Sequence, residues 1–355
     1  MEELPQDIFF SNIFTRLPVK SLLQYRSVSK PWQTTIDDPL LPNTHLEFST
    51  KKSNLVIIMQ HRKSELTRFY LVKDDSPTRT MESKLISTIP MSRNSLLKCS
   101  CNGLLCFVNC RYSSNYEIFV CNPFLNQVVM TTTSLGTSRR HIFGLGYSPL
   151  SKEYKLVQVE RTPTLHTRIY SLKTKVWRDI VSKPAYPLLQ RPVYTNGALH
   201  WKIDTNSGDF KTEHHIVSFD METEEFEIID HPKLGFEKNN LIDVIELEGN
   251  LCLVDYSSSM CIDIWMLKDW GKKKWVKEYS ITVRRDNGDA SVVGFWGCGK
   301  IFFTLNDNYM SYDSNDGQIE CHTVQKLDPD FTVSEVFGYT GSLVSPKDLL
   351  DHEKR

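Results

Sequence analysis

The sequence Ile118-Phe119-Val120-Cys121-Asn122-Pro123 is an apolar run that ends in a polar turn and leads on to a second apolar segment at Val128. Short apolar runs bounded by Asn, Gly or Pro are typical of antiparallel β-strands. The same unit recurs along the chain. Its central positions are Phe69, Phe119, Ile169, Phe219, Trp265 and Tyr312. They are about 46 to 50 residues apart, which predicts a repeated supersecondary unit.

A second marker follows the same period. Tight turns that lead into apolar segments occur at Asn102-Gly103, Asn196-Gly197, Glu248-Gly249 and Cys298-Gly299. Asn-Gly favours a two-residue hairpin because both residues tolerate a positive φ angle. Gly144-Leu145-Gly146-Tyr147 fills the interval between the first two turns. Two independent markers with one period indicate that the repeat is real.

A period of about 40 to 50 residues with roughly four short strands is typical of a β-propeller blade. We therefore predict an all-β propeller of about six four-stranded blades over residues 52–345, with five or seven blades left open. Closing the ring needs a strand from the far end of the chain. The apolar segments at residues 337–339 and 342–344 are well placed to supply it.

Residues 4–48 have a different pattern, in which apolar residues recur at helical spacing. Three helices are predicted, at residues 4–17, 19–28 and 31–37. Pro18 ends the first because the residue before a proline avoids helical backbone angles, and Asp38-Pro39 stops the third. The predicted domains are a small all-α three-helix unit at 1–48, the propeller at 52–345 and a polar C-terminal tail at 346–355. We expect the first two to have separate cores.

A helical unit of this size buries little surface and is marginally stable by itself. Its apolar residues also exceed what its own small core would hold. That excess predicts a hydrophobic surface that binds another protein.

This N-terminal sequence resembles an F-box, in particular the plant form with an Arg-Leu-Pro-Val-Lys-Ser-Leu core. The matching residues are Leu4-Pro5, Asp7-Ile8, Ile13, the run from Arg16 to Leu23, Arg26, Val28-Ser29-Lys30 and Trp32. One departure is Ser27, where many members carry Cys. The resemblance implies that the unit binds a SKP-type adaptor and, through it, a cullin. The implied adaptor-binding residues are Leu4, Pro5, Ile8, Leu17, Pro18, Val28 and Trp32. An ordinary three-helix cap is the alternative.

The region that follows is similar to the F-box-associated domain, a kelch-like propeller found after the F-box in a large plant family. The similarity covers most of residues 95–285. It rests on residues 100–106, 121–123, 144–147, Tyr170 with Trp177, 196–201 and 219–220. The order of the two domains along the chain supports the resemblance.

The composition shows no charge excess that would favour nucleic acid or an anionic membrane, since the formal net charge is -1. The nine Cys are an odd number, and no glycosylation sequon or secretory signal sequence is present. The longest apolar runs, such as residues 55–59, are too short to span a bilayer. We therefore expect a cytoplasmic or nuclear protein with free thiols and no nucleic-acid or membrane partner.

No sequence motif predicts catalysis, a cofactor or a metal site. Cys99, Cys101, Cys106 and Cys110 lack a usual zinc spacing and are expected to be buried thiols on strands. His214-His215 is expected to lie in a solvated turn. The segment from Asp313 to Gly317 is expected to be a turn, because its Gly falls one residue early for a calcium loop.

Together these features predict a non-enzymatic substrate receptor of an SCF-type (cullin–RING) ubiquitin ligase, with the propeller binding an unidentified target protein. Basic and aromatic segments are expected to rim one face of the propeller, where recognition loops lie. They are residues 139–141, 161–168, 236–240 and 272–274. Two alternatives remain. One is a hydrolase-like propeller enzyme with a helical cap and a funnel of convergent carboxylates or His; the other is a non-degradative adaptor-bound scaffold.

Overall fold

The computed structural model describes most of the chain. The described residues are 10, 13–49, 54–72, 80–109, 115–134, 141–160, 165–189, 191–204, 215–232, 241–284, 289–296, 299–324 and 328–349.

The N-terminal part is helical. A 3-10 turn at Phe14–Arg16 precedes three α-helices: α1 (Val19–Tyr25), α2 (Lys30–Ile36) and α3 (Leu41–Ser49). Most of the first predicted helix lies outside the described residues, and its last part is the 3-10 turn. The second and third predicted helices correspond to α1 and α2, whereas α3 was not predicted. Asp38 stops α2 but also starts α3, because its carboxylate accepts the backbone N–H of Leu40 at 2.8 Å.

The rest of the described chain forms six antiparallel four-stranded blades, which confirms the predicted fold. Blade 1 holds β25 (Phe331–Tyr339), β1 (Asn54–His61), β2 (Leu66–Val72) and β4 (Ser83–Pro90). Blade 2 holds β5 (Leu96–Cys101), β6 (Leu104–Asn109), β7 (Asn115–Asn122) and β8 (Gln127–Ser134). Blade 3 holds β9 (His141–Ser148), β10 (Glu153–Glu160), β11 (His166–Ser171) and β12 (Trp177–Ile180).

Blade 4 holds β13 (Val193–Thr195), β14 (Ala198–Lys202), β15 (His215–Asp220) and β16 (Phe226–Asp230). Blade 5 holds β17 (Ile242–Leu247), β18 (Asn250–Asp255), β19 (Cys261–Asp269) and β20 (Lys274–Thr282). Blade 6 holds β21 (Ala290–Trp296), β22 (Lys300–Leu305), β23 (Asn308–Asp313) and β24 (Ile319–Val324). The short β3 (Thr80–Met81) adds a parallel fifth strand to its outer edge.

The sequence repeat has a direct structural meaning. All six central positions, from Phe69 to Tyr312, lie on the third strand of their blades. The Gly-containing turns join the first strand to the second. In the turn at Asn102-Gly103 the φ angles are 49° and 75°, and in the turn at Asn196-Gly197 they are 51° and 77°. Positive φ at both central positions is what a tight hairpin of this kind requires.

The glycines at 144 and 146, which were counted with the second marker, are present for a different structural reason. Gly144 and Gly146 lie within β9, the first strand of blade 3, and not in a turn. A side chain at Gly146 would place its Cβ 2.5 Å from the sulfur of Met221. The glycine therefore lets blade 4 approach blade 3, so it marks close packing between blades rather than a hairpin.

The ring closes as predicted for residues 337–339, because β25 pairs with β1 from Asn54↔Tyr339 to His61↔Phe331. The prediction is wrong for residues 342–344, which lie beyond β25. The propeller core is divided into six apolar clusters, one between each pair of neighbouring blades. The cluster between blades 3 and 4, for example, contains the fully buried Trp201. Burial of apolar surface between blades, rather than within one blade, is what holds the ring together.

Because successive strands run in opposite directions, the connections between them lie alternately on the two faces of the propeller. The connections from strand one to two and from three to four emerge on one face, which we call the turn face. Those from two to three and from each blade to the next emerge on the other, the loop face. The three longest connections of the propeller, 181–192, 203–214 and 231–241, all belong to the loop face.

Candidate functional site

The helical unit exposes apolar side chains that its own core does not hold. Val28 and Leu40 are 62% and 65% exposed, and Phe48 is 44% exposed. Small helical units rarely leave this much apolar surface in water without a partner that covers it. The sequence pattern predicts Val28 as part of this surface but not Leu40 and Phe48, because it assigns no helix to the segment after Asp38-Pro39.

Four of the predicted adaptor-binding residues lie in the described part of this unit. Val28 occupies the turn between α1 and α2, and its N–H donates to the carbonyl of Tyr25 at 3.0 Å. Trp32 is half-buried, with its ring centroid 5.4 Å from that of Tyr25. Leu17 is half-buried against the helical core, and Pro18 is exposed at the start of α1. Leu4, Pro5 and Ile8 lie outside the described residues.

The structure therefore places Val28, Tyr25 and Trp32 together around one turn. Trp32 also contacts the buried Phe14, at 5.4 Å between ring centroids in an edge-to-face arrangement. Its indole thus packs between the buried Phe14 and Tyr25 at the end of α1, while Val28 is exposed. An exposed aliphatic side chain on a turn next to rigid aromatic packing is a suitable anchor for a protein contact.

Polar contacts fix the shape of this turn. The guanidinium of Arg26 donates two hydrogen bonds to Asp37, at 2.6 and 2.9 Å, and these tie the end of α1 to the end of α2. Hydrogen bonding to Asp37 raises the pKa of Arg26. Ser29 accepts the N–H of Trp32 at 3.3 Å and caps α2. Ser27, the departure from the F-box pattern, donates to the carbonyl of Gln24 at 2.8 Å and is exposed.

A buried histidine connects α3 to the segment before α1. Nε2 of His45 lies 2.7 Å from the carbonyl oxygen of Leu17, which places an N–H donor there. Burial lowers the pKa of His45, and the hydrogen bond to Leu17 raises it by less. The imidazole is therefore neutral at pH 7 and acts as a structural donor.

The helical unit lies on the turn face of blade 2. Its core of Phe14, Val19, Leu22, Ile36 and Leu41 also includes Leu343, from beyond β25, and contacts Phe124 in the turn between β7 and β8. Leu46 of α3 joins the cluster of blades 2 and 3. The expectation of separate cores is thus wrong, because residues distant in sequence complete the helical core. Leu349, assigned to the polar tail, packs against the same cluster as Leu46.

The loop face lies opposite the helical unit. Two of the four segments expected to rim one face have described residues at the loop-face ends of strands, since His141 begins β9 and residues 166–168 begin β11. Arg139, Arg140, residues 161–164 and all of 236–240 lie outside the described residues. The fourth segment, 272–274, is in the turn between β19 and β20 and so lies on the turn face. The sequence could not separate these cases, because it did not fix which strands each loop joins.

The basic and aromatic residues of that fourth segment hold blades together. The amine of Lys273 donates to the carbonyl of Ile228 at 3.1 Å, and the indole of Trp275 donates to the carbonyl of Asp230 at 3.0 Å. Both contacts join blade 5 to blade 4. Lys273 and the adjacent Trp275 therefore support the ring, while the side chain of Lys272 remains 83% exposed in the same turn.

The clustered cysteines are buried thiols, as predicted for those that the structure describes. Cys99, Cys101 and Cys106 lie on β5 and β6, and the sulfur of Cys99 accepts the N–H of Leu145 at 3.0 Å. Burial raises the pKa of Cys101, and a hydrogen bond to Cys99 together with burial raises that of Cys106. Cys101 and Cys106 are therefore protonated, whereas metal ligation and nucleophilic attack need the thiolate. Cys110 lies outside the described residues.

Other candidate chemical sites have structural roles. His215 is the first residue of β15 and lies 2.9 Å from Asp230 on β16, so it is part of the blade and not of a turn; His214 lies outside the described residues. Asp313 accepts the N–H of Asn315 at 2.9 Å in the turn between β23 and β24, as expected. Within the described ranges, no group of three or more His, Cys, Asp or Glu side chains is arranged to hold a metal ion.

Comparison with protein families identifies the two parts of the chain. Residues 1–44 match the F-box domain, and residues 54–320 match the F-box associated beta propeller domain. The chain belongs to the F-box proteins with an associated β-propeller. The F-box match covers α1, α2 and the start of α3, and the propeller match includes strands from all six blades but ends before the closing strand β25.

Its relatives include Arabidopsis thaliana F-box proteins. It is 27% identical to the F-box protein At3g07870 and 28% identical to the F-box protein CPR1, in both cases over 79% of this chain and 73% of the relative. It is 25% identical to the F-box/kelch-repeat protein At3g23880, over 76% of this chain and 77% of the relative.

Similarity to solved structures is weaker. The uncharacterized protein lmo1340 from Listeria monocytogenes aligns with a TM-score of 0.44 and 7% identity, over 79% of this chain and 84% of that one. A prolyl endopeptidase aligns with a TM-score of 0.43 and 10% identity, over 90% and 57% of the two chains. Similarity at this level carries no argument about function. In the described part of the chain, no helix has the length and apolar character needed to cross a membrane.

Proposed function

We propose that this F-box protein is the non-catalytic substrate receptor of an SCF-type ubiquitin ligase. Its F-box binds a SKP-type adaptor, which bridges to a cullin, and its propeller binds a target protein. The observation that carries the proposal is the exposed apolar surface around Val28 on an F-box that is held against the turn face of the propeller. An exposed apolar surface on a small domain indicates a protein partner.

We assign adaptor contacts to Val28 and Trp32 at the α1–α2 turn, with Leu17 and Pro18 near the start of α1. Leu4, Pro5 and Ile8 complete the proposed set. Leu40 and Phe48 extend the apolar surface and are added because they are exposed. The anchor is Val28, since its side chain is exposed and its N–H donates to the carbonyl of Tyr25, whose ring packs against Trp32.

We assign the target to the loop face. The F-box already covers part of the turn face, whereas the three longest connections emerge on the opposite face. Loops on a rigid scaffold are where recognition residues usually lie. A target bound there would point away from the adaptor-binding surface, so the two partners would not compete for space.

The proposed mechanism is proximity. Holding the target near a charged ubiquitin-conjugating enzyme raises the effective concentration of its lysines, by orders of magnitude for well-placed groups. The receptor then needs no catalytic side chain of its own. The complex is expected in the cytoplasm or the nucleus, with no cofactor.

The test is co-purification of the full chain with a SKP-type adaptor, comparing Val28→Asp with Leu150→Asp. A carboxylate at position 28 would be buried without a partner in the complex, so we expect the Kd for the adaptor to rise at least tenfold. Leu150 is exposed in a turn of blade 3 and gives a matched control that should bind like the unmodified chain. Adaptor binding that is equal in both variants would contradict the assignment.

A second measurement separates a degradative receptor from a scaffold. Once a target bound to the loop face is identified, its half-life is measured with and without this protein. The proposal expects a shorter half-life when the receptor is present and the adaptor-binding surface is intact. An unchanged half-life would favour the non-degradative scaffold.

A further inference from the structure

The segment after β25, residues 340–349, lies between the F-box and the propeller; we call it the C-terminal strap. Ser342, Leu343 and Val344 at its centre are all buried. A terminal segment is usually poorly ordered unless specific contacts hold it. Here the contacts come from two sides.

The two apolar residues of the strap enter different cores. Leu343 completes the core of the F-box, together with Phe14 and Leu22. Its neighbour Val344 joins the cluster of blades 2 and 3, in which Leu46 of α3 also lies. Two consecutive residues thus bind the F-box on one side and the propeller on the other.

Asn122, at the end of β7, holds the backbone of the strap. Its side-chain amide donates to the carbonyl oxygens of Ser342 at 2.9 Å and of Val344 at 2.8 Å. The side-chain oxygen Oδ1 of Asn122 accepts the N–H of Phe124 at 3.0 Å, which fixes the orientation of the side-chain amide. Asn122 is fully buried, so each of these bonds would be costly to leave unmade. This gives a structural reason for the Cys-Asn-Pro sequence with which the third strand of blade 2 ends.

The strap packs so closely against the propeller that two glycines at the contact have no space for a side chain. A Cβ at Gly341 would lie 2.6 Å from the ring of Phe124, and a Cβ at Gly103 would lie 2.5 Å from the hydroxyl of Ser342. The hydroxyl of Tyr339 donates to the carbonyl of Gly103 at 2.7 Å, immediately before the strap begins. Close packing with satisfied polar groups favours one arrangement over many.

We propose that the C-terminal strap locks the F-box and the propeller into one fixed relative orientation, with Asn122 as the positioning residue. The contacts of the strap thus keep the F-box in one position on the propeller. The fixed orientation has a functional consequence, which rests on the proposed receptor function. The strap sets the distance between a target on the loop face and the ligase bound to the F-box.

The orientation is measured as a distance distribution between two spin labels, by pulsed electron paramagnetic resonance. One label is attached at Gln24→Cys, exposed on α1, and the other at the exposed native Cys321 on β24. Cys261 is replaced by Ser, as are Cys110 and Cys298, which lie outside the described residues. The full chain should give one narrow distance distribution.

Asn122→Asp keeps the size of the side chain but replaces the amide donor with an acceptor that faces two carbonyl oxygens. We expect it to broaden the distribution at least twofold, and Leu343→Ala to do the same. Asn126→Asp is the matched control, since Asn126 is exposed in the following turn and should leave the distribution unchanged. Circular dichroism must show that the blades remain folded. Narrow distributions in both strap variants would overturn the proposal.

A measurement on the unmodified chain covers the case in which a variant does not fold. In hydrogen exchange, amides of α1 and of residues 342–344 should become exposed in one common opening event. Much faster exchange in α1 than in the strap would also overturn the proposal. Neither measurement contains the adaptor, so failure of the receptor function would leave both results unaffected.

Discussion

The F-box and the propeller are stabilised in opposite ways, and the difference reflects what each part does. The propeller has six apolar clusters shared between neighbouring blades, with large side chains such as Trp201 fully buried. The F-box has one small cluster and leaves Val28 and Leu40 largely exposed. Substitutions in the propeller should therefore change stability, whereas those at the F-box surface should change binding. Four predictions test this contrast, from the largest expected effect to the smallest.

Trp201→Ala should have the largest effect on stability. The indole is buried between blades 3 and 4, and its removal leaves a cavity as well as lost apolar contacts. We expect the free energy of unfolding to fall by about 3–5 kcal/mol, measured by urea denaturation. Val28→Asp should change the same quantity by less than about 0.5 kcal/mol. Comparable losses of unfolding free energy in the two variants would contradict the proposed difference between the propeller and the F-box.

Stability should decrease in acid because of His200, which is buried in the propeller. Burial lowers its pKa from 6.5 to about 4. Between these values the unfolded chain binds a proton that the folded chain does not, so the free energy of unfolding falls as pH falls from 6.5 to 4. The loss from this residue is about 3 kcal/mol, at roughly 1.4 kcal/mol per pH unit.

Urea denaturation at several pH values measures this slope. His200→Asn removes the titrating group and should flatten the slope in that window, although it costs stability at pH 7. His45 of the F-box contributes in the same direction, because burial lowers its pKa as well. A slope that is the same in His200→Asn and in the unmodified chain would show that His200 is not the source.

Gly146→Ala should destabilise the contact between blades 3 and 4. The new Cβ would meet the buried side chain of Met221, so either Met221 or β9 must shift. Overpacking of this kind costs about 1–3 kcal/mol, measured as a loss in unfolding free energy. The paired variant Met221→Ala with Gly146→Ala relieves the clash. If Gly146→Ala costs the same in a Met221→Ala background, the clash is not the cause.

The smallest effect is expected at the surface of the F-box. The Arg26–Asp37 pair has good geometry but is about half exposed on both sides. Exposed ion pairs contribute about 0.2–1 kcal/mol, so Arg26→Ala should lower the unfolding free energy by no more than that. A double-mutant cycle with Asp37→Ala isolates the interaction energy. A coupling above about 2 kcal/mol would mean that the F-box depends on this pair more than we infer.

Much of the fold could be predicted from the sequence because its two markers report different physical requirements. Large apolar residues about 46 to 50 positions apart mark third strands, and Asn-Gly marks hairpins that need positive φ. The F-box was recognised because its motif, from Leu4 to Trp32, is a short continuous stretch of sequence that resembles the F-box family. Gly146 was interpreted as part of a turn, because glycine occurs both in turns that need a positive φ and where two elements pack closely. Only the contact with Met221, which is distant in sequence, shows that close packing is the reason here.

The site was less predictable, because its key features depend on residues far apart in the chain. Nothing near residue 14 or 22 indicates that Leu343 completes the F-box core. The face of the propeller on which each loop lies depends on strand order, which is why residues 272–274 were assigned to the wrong rim. Exposure of Leu40 and Phe48 likewise follows from how α3 docks on the propeller, not from their local sequence.

Hydrogen exchange of the full chain, with and without a SKP-type adaptor, tests the central claim most directly. We predict that the adaptor slows exchange in residues 19–32, around Val28 and Trp32, and leaves the loop-face connections 181–192, 203–214 and 231–241 unchanged. Protection of the loop-face connections with no change around Val28 would contradict the account, because the adaptor would then occupy the face that we assign to the target.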